Sequence, residues 1–126
     1  MQPVQLFDLA AQQAKWLSVR QSAIAGNIAN ANTPGYGAVD VPPFERVLEN
    51  VQVALAATQP GHFPGNGAQA SPTVREQKEK APSMPSGNNV VLEQELMKAG
   101  EVRRSFELNT AIVKAFHRMM LMTTRP

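Results

Sequence analysis

The chain has 126 residues, a formal net charge of +2 and no cysteine. That length is one small domain. The charge is too balanced to form a nucleic-acid footprint. The lack of cysteine excludes disulfides and thiolate chemistry and argues against a zinc site.

Met1–Ala14 lacks the charged start and apolar run of a secretory signal. No stretch approaches the roughly 20 apolar residues of a membrane span. Neither a nucleic-acid partner nor direct membrane insertion is therefore expected. Eight of the ten prolines lie between Pro34 and Pro85, and six of the eight glycines between Gly35 and Gly87. The ends are nearly free of helix breakers and the middle is crowded with them.

Over Val4–Ala31, apolar residues recur at three and four: Leu6, Leu9, Ala10, Ala14, Leu17, Ala23, Ile24, Ile28 and Ala31. This predicts an amphipathic helix. Thr33 precedes Pro34, which disfavours helix at Thr33. Thr33-Pro34-Gly35-Tyr36 then suits a type II turn, with proline second and glycine third. Trp16 and Val19 flank the apolar face and widen it. A shorter helix is predicted over 43–57, with Pro43 at its first position and Phe44, Leu48, Val51 and Leu55 on one side.

From Thr58 to Asn89 no period is sustained. Short strands could form there against a partner, and Arg75–Lys80 reads as a solvated charged run. Val90–Thr123 is predicted as the longest helix. Ala99, Phe106, Val113 and Met120 stand seven apart, and so do Val102, Asn109 and Phe116. Together they form a heptad seam. Leu92 and Leu96 continue its apolar face with a slight phase shift. Glu101, Arg103, Arg104, Glu107, Lys114 and Arg118 fall outside the seam, and Asn88 or Asn89 is the candidate N-cap. Ile112, Met119 and Met122 add apolar surface beyond the seam, as a subunit of a larger assembly would.

The expected fold is mainly α. Long N- and C-terminal helices pack as a coiled-coil pair, antiparallel or staggered, joined by a Pro/Gly-rich irregular connector with one short helix. Residues 1–36 form the N-terminal core helix and turn, 37–89 the connector, and 90–126 the C-terminal core helix.

No residue pattern points to catalysis. His62 sits in the Pro/Gly stretch and His117 on the last helix, neither with a second ligand at metal spacing. Glu93 and Glu95, two apart on a helix, face different ways. Gly61, Gly65 and Gly67 do not link a strand to a helix, so they make no phosphate loop. Met119, Met120 and Met122 read as adaptable packing. No enzyme activity, metal or cofactor is expected.

Asn27 and Asn30 stand three apart on one helix face, although asparagine disfavours helix. Their amides suit a role in fixing register between helices, and Asn109 in the other seam supports that role.

The stretch Asn27-Ile28-Ala29-Asn30-Ala31-Asn32-Thr33-Pro34-Gly35-Tyr36 closely resembles the signature of the bacterial flagellar rod, hook and hook-filament junction family. Members share N- and C-terminal helices that pack into an inner tubular core. The larger members carry a big β-rich domain between those helices, for which 126 residues leave no room. Asp40 followed by Phe44, and Ser86-Gly87-Asn88-Asn89-Val90 followed by Glu95, are similar to one of the two short proximal rod proteins. The other usually has a His-Pro and a Gly-Tyr-Val stretch before its last helix, absent here. The resemblance covers residues 5–48 and 86–120. One departure is Val91, where the family often has an acidic residue.

The resemblance implies a structural subunit of the proximal rod, self-assembling with other rod proteins into the drive shaft that transmits torque. Implied partners are copies of itself, other rod proteins, the basal-body adaptor FliE and the flagellar type III export apparatus. Export without a cleaved signal and assembly in the periplasm are implied as well. The residues expected at the assembly interface are Leu6, Leu17, Ile24, Asn27, Ile28, Asn30, Asn32, Pro34, Gly35, Tyr36, Val102, Phe106, Asn109, Val113, Phe116 and Met120. The alternative from the residues alone is a cytoplasmic coiled-coil adaptor or export chaperone.

Overall fold

The structure is a computed structural model that describes residues 3–55, 75–76 and 85–124. It is mainly helical. Helix α1 spans Pro3–Ala29, strand β1 Val39–Asp40, helix α2 Phe44–Leu55, strand β2 Arg75–Glu76 and helix α3 Leu92–Thr124. The expected end of the short helix at 56–57, His62, the three connector glycines, the irregular stretch 58–74 and the rest of the charged run at 77–80 lie outside the described residues.

Helices α1 and α3 pair antiparallel. Asn27 near the end of α1 meets Glu95 near the start of α3. Towards the other end, Asn109 donates to the Ala10 carbonyl and the Phe7 ring meets the Phe116 ring edge-on, centroids 5.6 Å apart. The seam is the one that heptad spacing predicts: Val102 is buried, and Ala99, Phe106, Asn109, Val113, Phe116 and Met120 are half-buried. The six charged residues placed outside the seam are all exposed. Leu17, Ile24 and Val102 form the buried centre, with Trp16, Ile28, Ala99 and Phe106 packed around it. At ~1.5 Å per residue the helices are rods of about 40 and 50 Å.

Three expectations for the α3 seam and the helix starts change. Leu92 and Leu96 are 43% and 57% exposed, because the seam runs back through Ala99 to Glu95, seven before Val102. Asn88 and Asn89 do not cap α3. Its first helical bond runs from Glu95 N–H to the Val91 carbonyl, so Val91 holds the cap position. Pro43 likewise precedes α2 rather than opening it, its carbonyl accepting from the Arg46 and Val47 N–H groups.

The predicted turn forms. Gly35 has φ +74°, and Tyr36 N–H donates to the Thr33 carbonyl at 3.3 Å. Beyond it the chain doubles back along α1, and β1 pairs antiparallel with β2, Val39 opposite Glu76 and Asp40 opposite Arg75. Trp16 does not widen an outer surface. Its indole Nε1 donates to the Pro42 carbonyl at 2.8 Å, its ring lies 5.9 Å from that of Phe44, and the Arg20 guanidinium sits 5.5 Å above it. It is the contact that holds the entrance to α2 against α1. No described helix is long and apolar enough to cross a membrane.

Candidate functional site

The buried polar residues among those described, Asn27, Asn88 and Glu95, converge at one end of the hairpin, where α1 stops and α3 starts. A helix end leaves its last carbonyls without helical partners, and α1 has no basic residue in its last turn. The partner comes from far along the chain. Asn88, 2% exposed, points its Nδ2 at the carbonyls of Asn30, Ala31 and Thr33 at 2.9, 3.0 and 2.8 Å. Two N–H groups are thus shared among three acceptors, while its Oδ1 accepts Val90 N–H at 2.8 Å.

The two crossing backbones are stitched alongside. Gly35 N–H donates to the Ser86 carbonyl at 2.9 Å and Asn89 N–H to the Tyr36 carbonyl at 3.3 Å. Asn89 Oδ1 accepts Ala38 N–H at 2.6 Å. Gly87, at φ +80°, lies against Gly35: a Cβ on Gly87 would stand 3.5 Å from the Gly35 Cα. Both glycines occupy the left-handed region, where a side chain is strained.

Asn27 is the second anchor and is fully buried. Its Nδ2 donates to the Val39 carbonyl at 2.7 Å and to Glu95 Oε2 at 3.0 Å. Its Oδ1 accepts Val39 N–H at 2.9 Å and the Tyr36 hydroxyl at 3.4 Å. All four hydrogen-bonding positions of the amide are used. The Val39 backbone, needing a donor on one side and an acceptor on the other, fixes the orientation of the amide.

Four charged groups close the site. Glu95, 2% exposed, also takes Lys98 Nζ on Oε1 at 3.2 Å. Asp40 joins the helices: Arg20 Nε of α1 lies 3.4 Å from its Oδ1, and Lys98 Nζ of α3 lies 3.6 Å from its Oδ2. Its Oδ1 also accepts Val41 N–H at 2.8 Å. No buried side-chain polar atom among the described residues lacks a partner. This set of groups is spent on itself: it builds a joint.

The residues expected at an assembly interface divide between this joint, the seam and solvent. Leu17, Ile24, Asn27 and Val102 are buried within the chain. Leu6, Ile28, Tyr36, Phe106, Asn109, Val113, Phe116 and Met120 are half-buried, and Asn32, Pro34 and Gly35 are exposed at the turn. Asn30, expected to act together with Asn27, plays a local part. Its Nδ2 returns to the Gly26 carbonyl at 2.8 Å, and its Oδ1 accepts the Thr33 hydroxyl.

Sequence reasoning gave no role in the joint to Glu95, Asp40, Arg20 or Lys98. Glu95 carried a usable signal, since it stands seven before Val102 in the seam column. For Asp40 and Arg20 the signal is tertiary, because only the doubling back of the chain at the turn brings them together.

A family model described as "Flagella basal body rod protein" matches residues 9–36, which contain the end of α1 and the turn. The flagellar basal body rod protein FlgB of Agrobacterium fabrum is 48% identical over 129 residues, spanning 99% of this chain and 96% of that protein. The FlgB of Escherichia coli K12 is 40% identical over 87 residues, 60% of this chain and 61% of its own length. That of Salmonella typhimurium LT2 is 32% identical over 105 residues, 75% of this chain and 74% of its own. The chain belongs to the flagellar basal body rod protein family, among the proteins named FlgB.

Proposed function

We propose that this structural subunit of the flagellar basal-body rod stands in its proximal part and assembles, with copies of itself and other rod proteins, through the bare side of α3. The observation that carries the reading is a second apolar stripe. Leu108, Ile112, Met119 and Met122 recur at four, seven and three along α3, pointing away from the seam, and are 46–64% exposed. Exposed apolar residues aligned in such a row mark an interaction surface rather than scattered exposure.

A groove of about 390 Å³ opens between α1 and α3, with Ile24, Ile28, Val102 and Phe106 among its walls. At 100° per residue, the stripe and the α3 wall of that groove lie on roughly opposite sides of the helix. One chain thus carries a ridge and a trough on different faces. Such a pair suits head-to-tail contacts, which continue into an open helical array when the rotation between neighbours does not close a ring.

The subunit would reach the periplasm through the flagellar type III apparatus without a cleaved signal, and meet FliE and the neighbouring rod proteins there. A thin core supports passage in an open state. The buried apolar residues among those described number eight, and three of them are alanines. The role is mechanical rather than catalytic: the polar groups of the joint bind one another, and the apolar stripe has the chemistry of packing. The full interface proposed comprises the stripe, the groove and the partly exposed seam and turn residues that the sequence points to, leaving Leu17 and Asn27 inside the chain.

Ile112→Glu with Met119→Glu tests this. Both side chains point outward, so the helix signal by circular dichroism should match that of the unmodified chain. Rods should fail to assemble, and swarming in soft agar should fall to the non-flagellated background. A swarm of normal size from this double variant overturns the reading.

A further inference from the structure

A seven-residue repeat does not define its own register. The buried positions of α1 in the seam, Ala10, Leu17 and Ile24, stand seven apart. The two columns on α3 also repeat at seven. Sliding α3 one heptad along α1, about 10 Å at 1.5 Å per residue, brings apolar positions opposite apolar positions again. A polar residue in a seam often prevents such a slip. Here Asn109 donates to a backbone carbonyl, that of Ala10, and each turn of α1 offers another.

The joint does not repeat. Asn88 can reach the three carbonyls only where α1 ends, and the Asn27 amide matches one residue, Val39. Asn89, bonded to Tyr36 and Ala38, stands three residues before Leu92, the first residue of α3. So short a link leaves no slack for a slip of about 10 Å.

We propose that the Asn27–Asn88 joint, and not the seam, sets the register of the hairpin. Asn88 and Asn27 are positioning residues: they fix where along α1 the whole of α3 lies. The axial level of the outer stripe follows from them. The proposal concerns contacts within one chain and stands apart from the assembly reading.

The chain has no cysteine, so pairs can be introduced cleanly and joined with a short bis-thiol reagent in the full-length protein, with an excluded osmolyte such as trimethylamine N-oxide present to favour the folded hairpin. Phe7→Cys with Phe116→Cys reports the native register. Phe7→Cys with Asn109→Cys or with Thr123→Cys reports a slip of one heptad in either direction. In the unmodified background the native pair should exceed either slipped pair by about tenfold, and Asn88→Asp should reduce that preference to about twofold or less.

A second variant keeps the joint intact and duplicates residues 96–102, adding one heptad in phase. If the joint sets register, position 7 then links to original position 109. If the seam sets it, position 7 still links to 116. Any one of three results overturns the proposal: a native preference that survives Asn88→Asp, a 7–116 link that dominates in the duplication, or an unmodified chain with no preference.

Discussion

Asparagine disfavours helix because its amide competes for backbone partners, yet Asn27 sits inside α1, fully buried. It is tolerated because the returning chain supplies what the helix cannot. Val39 offers both a donor and an acceptor, Tyr36 offers a hydroxyl and Glu95 a carboxylate. Truncating it strands several buried groups at once, each costing about 1–3 kcal/mol. The side chain of Asn30, three residues on, bonds only within its own turn. Its truncation belongs with local changes of about 0.5–1 kcal/mol. We therefore expect Asn27→Ala to abolish swarming and Asn30→Ala to leave it near normal, measured side by side in soft agar. Equal defects would show that the two amides share one role.

Among the elements, α1 is the least self-sufficient. Its last turn tightens through Ala31 N–H to the Ile28 carbonyl and Thr33 N–H to the Asn30 carbonyl, and then depends on Asn88. The crossing that makes this possible needs two left-handed residues, Gly35 in the turn after α1 and Gly87 in the segment before α3. Gly35→Ala and Gly87→Ala should each destabilise the hairpin by about 1–2 kcal/mol, from the left-handed penalty alone. Both should lower the helix signal of the isolated chain by circular dichroism. Gly100, on the exposed side of α3, is the internal control, since a Cβ added there would meet nothing within 4 Å. Gly100→Ala should raise that signal, because alanine favours helix by about 1 kcal/mol. Helix α3 has a seam along most of its length, with both charged residues and the apolar stripe on its open side.

At the scale of the whole molecule, the described residues give the α1–α3 hairpin little interior. Leu17, Ile24 and Val102 are its buried centre, while Leu108, Met119, Leu121 and Met122 are more than half exposed. So small a buried surface makes a marginal fold when alone, and covering the exposed stripe in an assembly would supply the remainder. We expect the isolated chain in dilute solution to show far less helix by circular dichroism than the structure contains, and to gain helix on mixing with partner rod proteins. A sharply melting, fully helical monomer would contradict this. It would also remove the energetic case for ordering on assembly.

The amino-acid sequence by itself determined the elements that depend on local chemistry. Heptad spacing placed the seam of α3, and Pro34-Gly35 placed the turn, because helical period and turn geometry are properties of neighbouring residues. The signature around Asn27–Tyr36 identified the family. The tertiary structure decided what the polar residues do. Asn88, in position to start α3, instead ends α1. Glu95 is buried while Glu93 is exposed, and Trp16 turns inward to hold α2. Asp40 links Arg20 to Lys98. These outcomes join residues far apart along the chain, brought together only after it has doubled back. Periodicity sees which side of a helix is apolar. It does not see which distant backbone arrives there needing a hydrogen bond, and at this end of the hairpin that need governs the packing.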